Sequence, residues 1–260
     1  MDSYEFVSEN IERVRENVAR AAMRAGRSQE SVTILAVTKF HPIEAAERAF
    51  ACGIRRFGEN RVQEAQAKFS AERRAAMPGC SVDLLGALQS NKINKALDFF
   101  NGIQSADSAD LLDALCAKAG RRTSPLSLLL ELHTGEDSKS GFPDEDSLLR
   151  AVERFLQWNS GERTPMDCSP NAAASEAVAT RRMLSLSGLM TMAPYTANEA
   201  EIRAAFRRLT AAAVNIRHRF GLTEAEFGTL SMGMSGDYEI AVEEGSTLLR
   251  IGTAIFGERR

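Results

Sequence analysis

Cysteine is scarce in this 260-residue chain. The four present (Cys52, Cys80, Cys116 and Cys168) are far apart and form no C-x-x-C pair. That spacing argues against a zinc site or a disulfide framework and fits a reducing compartment. Histidine is also sparse, and His41, His133 and His218 show no metal-ligand spacing. There is no surplus of positive charge. A net charge of −3 provides no basic face for a phosphate backbone, and arginine pairs such as Arg55-Arg56, Arg73-Arg74 and Arg121-Arg122 are scattered. No apolar run approaches the length of a membrane span, and no basic-then-apolar leader opens the sequence. Together these absences predict a cytoplasmic protein that partners neither membrane nor nucleic acid.

What is present is material for a substantial core. A chain that is 44% hydrophobic and 26% charged is not globally disordered, and its length suits one large α/β domain or two small ones. Phe6, Val7, Ile11, Val14, Val18, Ala22 and Met23 recur at helical spacing until Gly26, which predicts an N-terminal helix. Strand signals follow at 33–38, 54–57, 82–85, 102–105, 126–132, 186–190, 227–231 and 247–251. Helical stretches lie among them at 42–52, 60–76, 90–99, 108–119, 145–158, 197–220 and 237–244. The alternation predicts an α/β protein, a single (β/α)8 TIM barrel over residues 1–260 with an extra N-terminal helix. A doubly wound open sheet is the competing architecture. Residues 159–180 break the rhythm with Ser, Pro, Gly, Asn and Ala and no core face. They are expected to form a mobile surface insertion.

In a parallel barrel the chemistry collects where strands end and loops begin. Lys39 closes the first apolar run and precedes Phe40-His41-Pro42. A partly desolvated amine there has a lowered pKa and becomes a nucleophile for carbonyl compounds; the plain alternative is a lysine that ends its strand and reaches water. The second strand end brings Glu59 and Asn60. Each also reads as an ordinary helix-start residue, Asn60 as a cap and Glu59 as a dipole-complementing carboxylate. The seventh run ends in Ser231-Met232-Gly233-Met234-Ser235-Gly236-Asp237, and the eighth in Arg250-Ile251-Gly252-Thr253. Glycines let backbone N–H groups approach an anion, and hydroxyls add donors. The loops after strands seven and eight are where barrels hold phosphate. Arg250 sits in an apolar strand, so it is either structurally paired or aimed at a ligand. Met190, Met192, Met232 and Met234 either line a pocket or fill the core. A phosphate anchor opposite a reactive amine suggests a phosphorylated aldehyde held as a Schiff base.

Several segments resemble the pyridoxal phosphate homeostasis protein family (YggS/PROSC type). They are Leu35-Ala36-Val37-Thr38-Lys39, Phe57-Gly58-Glu59-Asn60-Arg61-Val62-Gln63-Glu64, Leu88-Gln89-Ser90-Asn91-Lys92 and Ser187-Gly188-Leu189-Met190. Leu230-Ser231-Met232-Gly233-Met234-Ser235 and the stretch from Gly245 through Gly257 complete the set, which spans nearly the whole chain. The resemblance implies a barrel like the alanine racemase N-terminal domain, with pyridoxal 5′-phosphate on Lys39 as a Schiff base. It implies Ser231, Gly233, Met234, Ser235, Gly252 and Thr253 around the phosphate, Arg250 near the pyridine nitrogen and Asn60 near the ring. Met190 is counted with them as a pocket residue. Thr38, Phe40 and His41 beside the lysine depart from the family pattern, as does the 159–180 stretch.

Racemases of this barrel type take a tyrosine from a second domain of the partner subunit. The sequence continues only eight residues past Gly252, and its tyrosines are Tyr4, Tyr195 and Tyr238, none in an evident catalytic setting. An arginine at the pyridine nitrogen stays charged and is a poor proton donor, though barrel racemases share it. The expectation is therefore a monomeric, non-catalytic carrier. It would buffer pyridoxal phosphate or deliver it to apo enzymes, with Lys92 and Lys139 as possible aids to transfer. The alternatives are a racemase or other barrel enzyme using the same cofactor, and a sugar-phosphate isomerase or aldolase.

Overall fold

The computed structural model describes residues 4–135, 140–162, 183–196 and 198–258. Its eight strands close into a barrel in chain order. They are β1 (Thr33–Val37), β2 (Arg56–Glu59), β3 (Ser81–Leu84), β4 (Gly102–Ala106), β5 (Leu126–Glu131), β6 (Leu184–Met190), β7 (Thr229–Ser231) and β8 (Leu248–Ile251). All neighbours are parallel, and the β1–β8 pairing, with Leu35 opposite Arg250, seals the barrel. That closure excludes the open doubly wound sheet.

The helices are α1 (Glu5–Arg24), α2 (Ile43–Ala51), α3 (Val62–Lys68), α4 (Ala71–Ala76), α5 (Ile93–Phe99) and α6 (Ala109–Ala117). Then come α7 (Glu145–Ser160), α8 (Glu199–Phe220), α9 (Glu224–Phe227), α10 (Tyr238–Glu243) and α11 (Thr253–Phe256). Strands buried on both faces need apolar residues at nearly every position, which is why their runs read as continuous. One core fills the space between barrel and helices, with Phe57, Phe69, Phe100 and Phe206 among its largest members. A smaller one, Leu35, Val37, Leu129, Met190 and Leu248, fills the barrel interior. The helix after β8 is a single turn, and α1 takes the vacant place in the outer ring, packed on α2, α10 and α11. Asn10 Nδ2 donates to the Ile255 carbonyl at 2.9 Å and Asn17 Nδ2 to the Tyr238 hydroxyl at 2.6 Å, fixing α1 there.

Several element boundaries differ from the sequence expectation, and three of the differences have clear local causes. The helix expected at 60–76 breaks at Phe69, which turns into the core, and restarts behind Ser70, whose hydroxyl accepts from Arg73 N–H. The second strand lies two residues later than expected, so Glu59 belongs to the strand, not to a first helical turn. Phe227 leaves the seventh strand for α9, where Thr223 and Glu226 form a capping box. Most of the expected insertion lies outside the described residues; α7 runs on to Ser160 and ends at Gly161 in the left-handed region.

Candidate functional site

Lys39 follows β1 by two residues at the carboxyl mouth of the barrel and is half-buried. The next residue, Phe40, has φ +66° and is the sole non-glycine in the left-handed region among the described residues. The His41 ring lies 5.0 Å from that of Phe256, so the loop after β1 rests on α11. Gly252 lies against Val37, whose Cβ stands 3.5 Å from where a Gly252 Cβ would be. The first and eighth strand ends are thus side by side, with Lys39, Gly252 and the exposed Thr253 at one corner of the mouth.

Arg250 points into the barrel and is 5% exposed. Its Nη1 donates to both the carbonyl and the hydroxyl of Ser231 at 2.7 Å, and its Nη2 to the Thr191 carbonyl at 2.8 Å. The Ser231 hydroxyl in turn donates to Gln104 Oε1 at 2.7 Å. Gln104 Nε2 reaches Asp83 Oδ2 at 2.6 Å, and Arg56 pairs with the same oxygen at 2.8 Å. A polar chain therefore crosses the interior from β8 to β2. Ser231 is committed to it, so its hydroxyl props Arg250 and is not a spare donor for an anion. Met190, buried beside this chain, packs with Val37 and Leu129.

The loops after β7 and β8 are tied together by Ala254 N–H, which donates to Ser235 Oγ at 3.0 Å. Gly233, at φ +96°, leaves no room for a side chain: a Cβ would stand 2.5 Å from that of Ala241. Met234 is partly exposed, and its N–H donates to Asp237 Oδ1 at 2.6 Å. Burial pushes the Asp237 carboxyl up, opposed by the Met234 N–H and the charge of Arg250. Among the described residues, no protein acceptor takes the N–H of Ser235 or Gly236. Asn60 is not a helix cap, because α3 begins at Val62 behind Arg61. Its backbone is pressed against Gly86, where a Cβ would come within 2.4 Å of the Asn60 carbonyl. The half-buried Asn60 amide has no protein partner among the described residues.

Behind the Lys39 turn lies a buried charged group that sequence reasoning missed. Glu59 is fully buried, and its Oε1 accepts from Thr38 Oγ1 and Lys68 Nζ, each at 2.6 Å. Its other oxygen has no hydrogen-bond partner among the described residues, and burial pushes this carboxyl up against the pull of Lys68 and Thr38. The lysine at the end of α3 was the available signal: nine residues after Glu59, it falls on the helix face that meets the strand. Gln104 and Asp83 were missed for a different reason, since strand parity alone does not say which face is inward. Lys92 is half-buried at the start of α5, and Lys139 lies outside the described residues.

The arrangement combines a strand-end amine, unclaimed N–H donors on the loop after β7, which is tied to the loop after β8, and a guanidinium fixed in the interior. It suits a small anionic carbonyl compound. Among the described residues there is no cluster able to hold a metal ion and no helix long and apolar enough to cross a membrane.

A family model described as alanine racemase, N-terminal domain, matches residues 10–163. The pyridoxal phosphate homeostasis protein of Pseudomonas aeruginosa is 36% identical, covering 97% of this chain and 96% of its own length. That of Aquifex aeolicus is 30% identical, covering 97% and 98%. Among solved structures, PipY of Synechococcus elongatus with pyridoxal phosphate bound matches at TM-score 0.71 and 32% identity, over 93% of this chain and 100% of that one. Alanine racemase from E. faecalis matches at TM-score 0.61 but 17% identity, over 98% of this chain and 59% of that one, a likeness of fold alone.

Proposed function

This chain belongs to the pyridoxal phosphate homeostasis protein family, and from that premise we propose that it binds pyridoxal 5′-phosphate reversibly through Lys39 and holds it without turning over amino acids. When bound, the cofactor supplies an aldehyde that condenses with a primary amine, a phosphate that needs donors, and a ring nitrogen that accepts a hydrogen bond. The residues at the mouth fit each requirement. Lys39 is the amine. The N–H groups of Ser235 and Gly236, with the Gly252 backbone and the Thr253 hydroxyl, form the anion cradle, and Gly233 and Met234 shape it. Asn60 has an amide to spare for the ring's edge, and Met190 closes the floor. The resemblance put Ser231 at the phosphate; its committed hydroxyl supports instead a role in holding Arg250 still.

The observation that carries this reading is the adjacency of Lys39 and Gly252, sealed by the β1–β8 pairing, over the fixed guanidinium of Arg250. Arginine stays charged at every accessible pH, so it keeps a ring nitrogen as an acceptor and gives it no proton. That leaves the ring a weak electron sink, which suits custody of the cofactor more than catalysis with it. The Tyr238 hydroxyl accepts from Asn17 Nδ2 on α1, and Tyr195 is fully exposed, so neither is a positioned acid or base. The rest of the reading is a monomer in the cytoplasm that buffers the cofactor or passes it to apo enzymes.

Purified protein saturated with pyridoxal phosphate should absorb in the visible, and borohydride should fix one pyridoxyl group on Lys39. Lys39→Ala should lose both signals. Normal binding by that variant would refute the role of Lys39, and robust turnover in a screen of D- and L-amino acids would refute the carrier.

A further inference from the structure

The buried charges behind the Lys39 turn do not belong to the cofactor-facing side, and their bonding explains why they are there. Lys68 Nζ donates to the Thr38 carbonyl at 2.7 Å as well as to Glu59, and it lies 3.6 Å from Glu64 Oε1. That same Glu64 oxygen accepts from the Phe40 N–H at 3.0 Å. The residues on either side of Lys39 are therefore each clamped by a charged side chain of α3, while Thr38 is also bonded to Glu59 through its hydroxyl. Phe40 lies in the left-handed region, which a phenylalanine adopts only when its surroundings hold it there. Burying the Glu59 carboxylate with the Lys68 ammonium is a poor way to gain stability, since apolar packing does as well. A strained turn that aims one side chain does justify the arrangement.

We propose that Glu64 and Lys68, anchored by Glu59, are positioning residues for Lys39. They hold the Thr38–Phe40 backbone in the conformation that turns the Lys39 amine into the barrel mouth. The proposal rests on the reading of Lys39 as the cofactor-bonding amine, and it concerns only residues of this chain. Glu64 is the part to test, because its side chain is 27% exposed and can be changed without stranding a buried charge.

The experiment measures Lys39 in two ways. One is the rate of pyridoxyl fixation by pyridoxal phosphate and borohydride; the other is the rate of acylation by an amine-directed reagent without cofactor, read by mass spectrometry. Glu64→Ala should slow both about tenfold, the scale of a displaced reacting group. Glu64→Gln keeps an acceptor for the Phe40 N–H and should restore most of the rate. Phe40→Gly removes the strain, so Glu64→Ala should matter much less in that background. Unchanged rates in Glu64→Ala, or an equal loss with and without Phe40→Gly, would overturn the proposal. If the wild type takes no pyridoxyl group on Lys39, the cofactor reading fails, and acylation alone still decides whether Glu64 positions the amine.

Discussion

Removing the guanidinium of Arg250 would strand the Ser231 and Thr191 carbonyls inside the barrel and leave the Ser231 hydroxyl without its donor. Buried acceptors without partners are costly, so Arg250→Met should destabilise the fold by about 2–4 kcal/mol in urea unfolding. The same variant should lose bound pyridoxal phosphate faster on dialysis; equal retention would separate Arg250 from the ligand. Gly233→Ala tests the neighbouring loop. It adds a Cβ at 2.5 Å from Ala241 on a backbone at φ +96°, so a loss of about 3 kcal/mol is expected. Arg250 stood out in the sequence because a charge in an apolar strand demands a reason. Its supports did not: Gln104, Asp83 and Arg56 look like ordinary strand residues until the barrel closes and brings β2, β4 and β7 within reach of one another.

Helix α1 was legible from its spacing, but its position was not. Nothing in residues 5–24 states that the ring of helices would be one short after β8. The apolar stripe of Val7, Ile11, Val14 and Val18 covers the gap, and every member is buried. Ile11→Ala should therefore cost about 3 kcal/mol in a urea melt, as for any fully buried aliphatic residue. Val214→Ser on the exposed side of α8 should stay within about 0.5 kcal/mol. A loss at Ile11 as small as that at Val214 would mean that α1 is dispensable packing. Boundaries were read less well than elements, for local reasons. Ser70 could not be recognised as a cap inside an apparently continuous helical stretch, and the Thr223–Glu226 box shortened a strand that hydrophobicity alone extended.

At the scale of the whole molecule, the eightfold alternation was enough to name the barrel, because eight buried runs have few other ways to pack. Charge pairing between distant elements was not readable, and it sets how the fold responds to acid. Glu243 and Glu244 at the end of α10 bond Arg24 of α1 and Arg203 and Arg207 of α8 at 2.6–3.0 Å. Burial pushes both carboxyls up, but the arginine hydrogen bonds outweigh it and hold them below the ordinary value of 4.5. A carboxylate depressed in the folded state stabilises it fully above the unfolded pKa, and that contribution disappears as pH falls through the folded value. Glu59 has the opposite sign: its raised pKa means that the folded chain takes a proton there more readily than the unfolded one, which favours the fold as pH falls. Stability should therefore decline below about pH 4.5 through Glu243 and Glu244, with Glu59 working against the decline. A Glu243→Gln/Glu244→Gln variant, compared with wild type by urea midpoint near pH 7 and about pH 3.5, should start lower and lose less over the interval. High salt should shrink the difference at the upper pH, because these pairs are partly exposed. Parallel acid profiles for the two proteins would show that the α1–α10–α8 pairs do not set the acid limb.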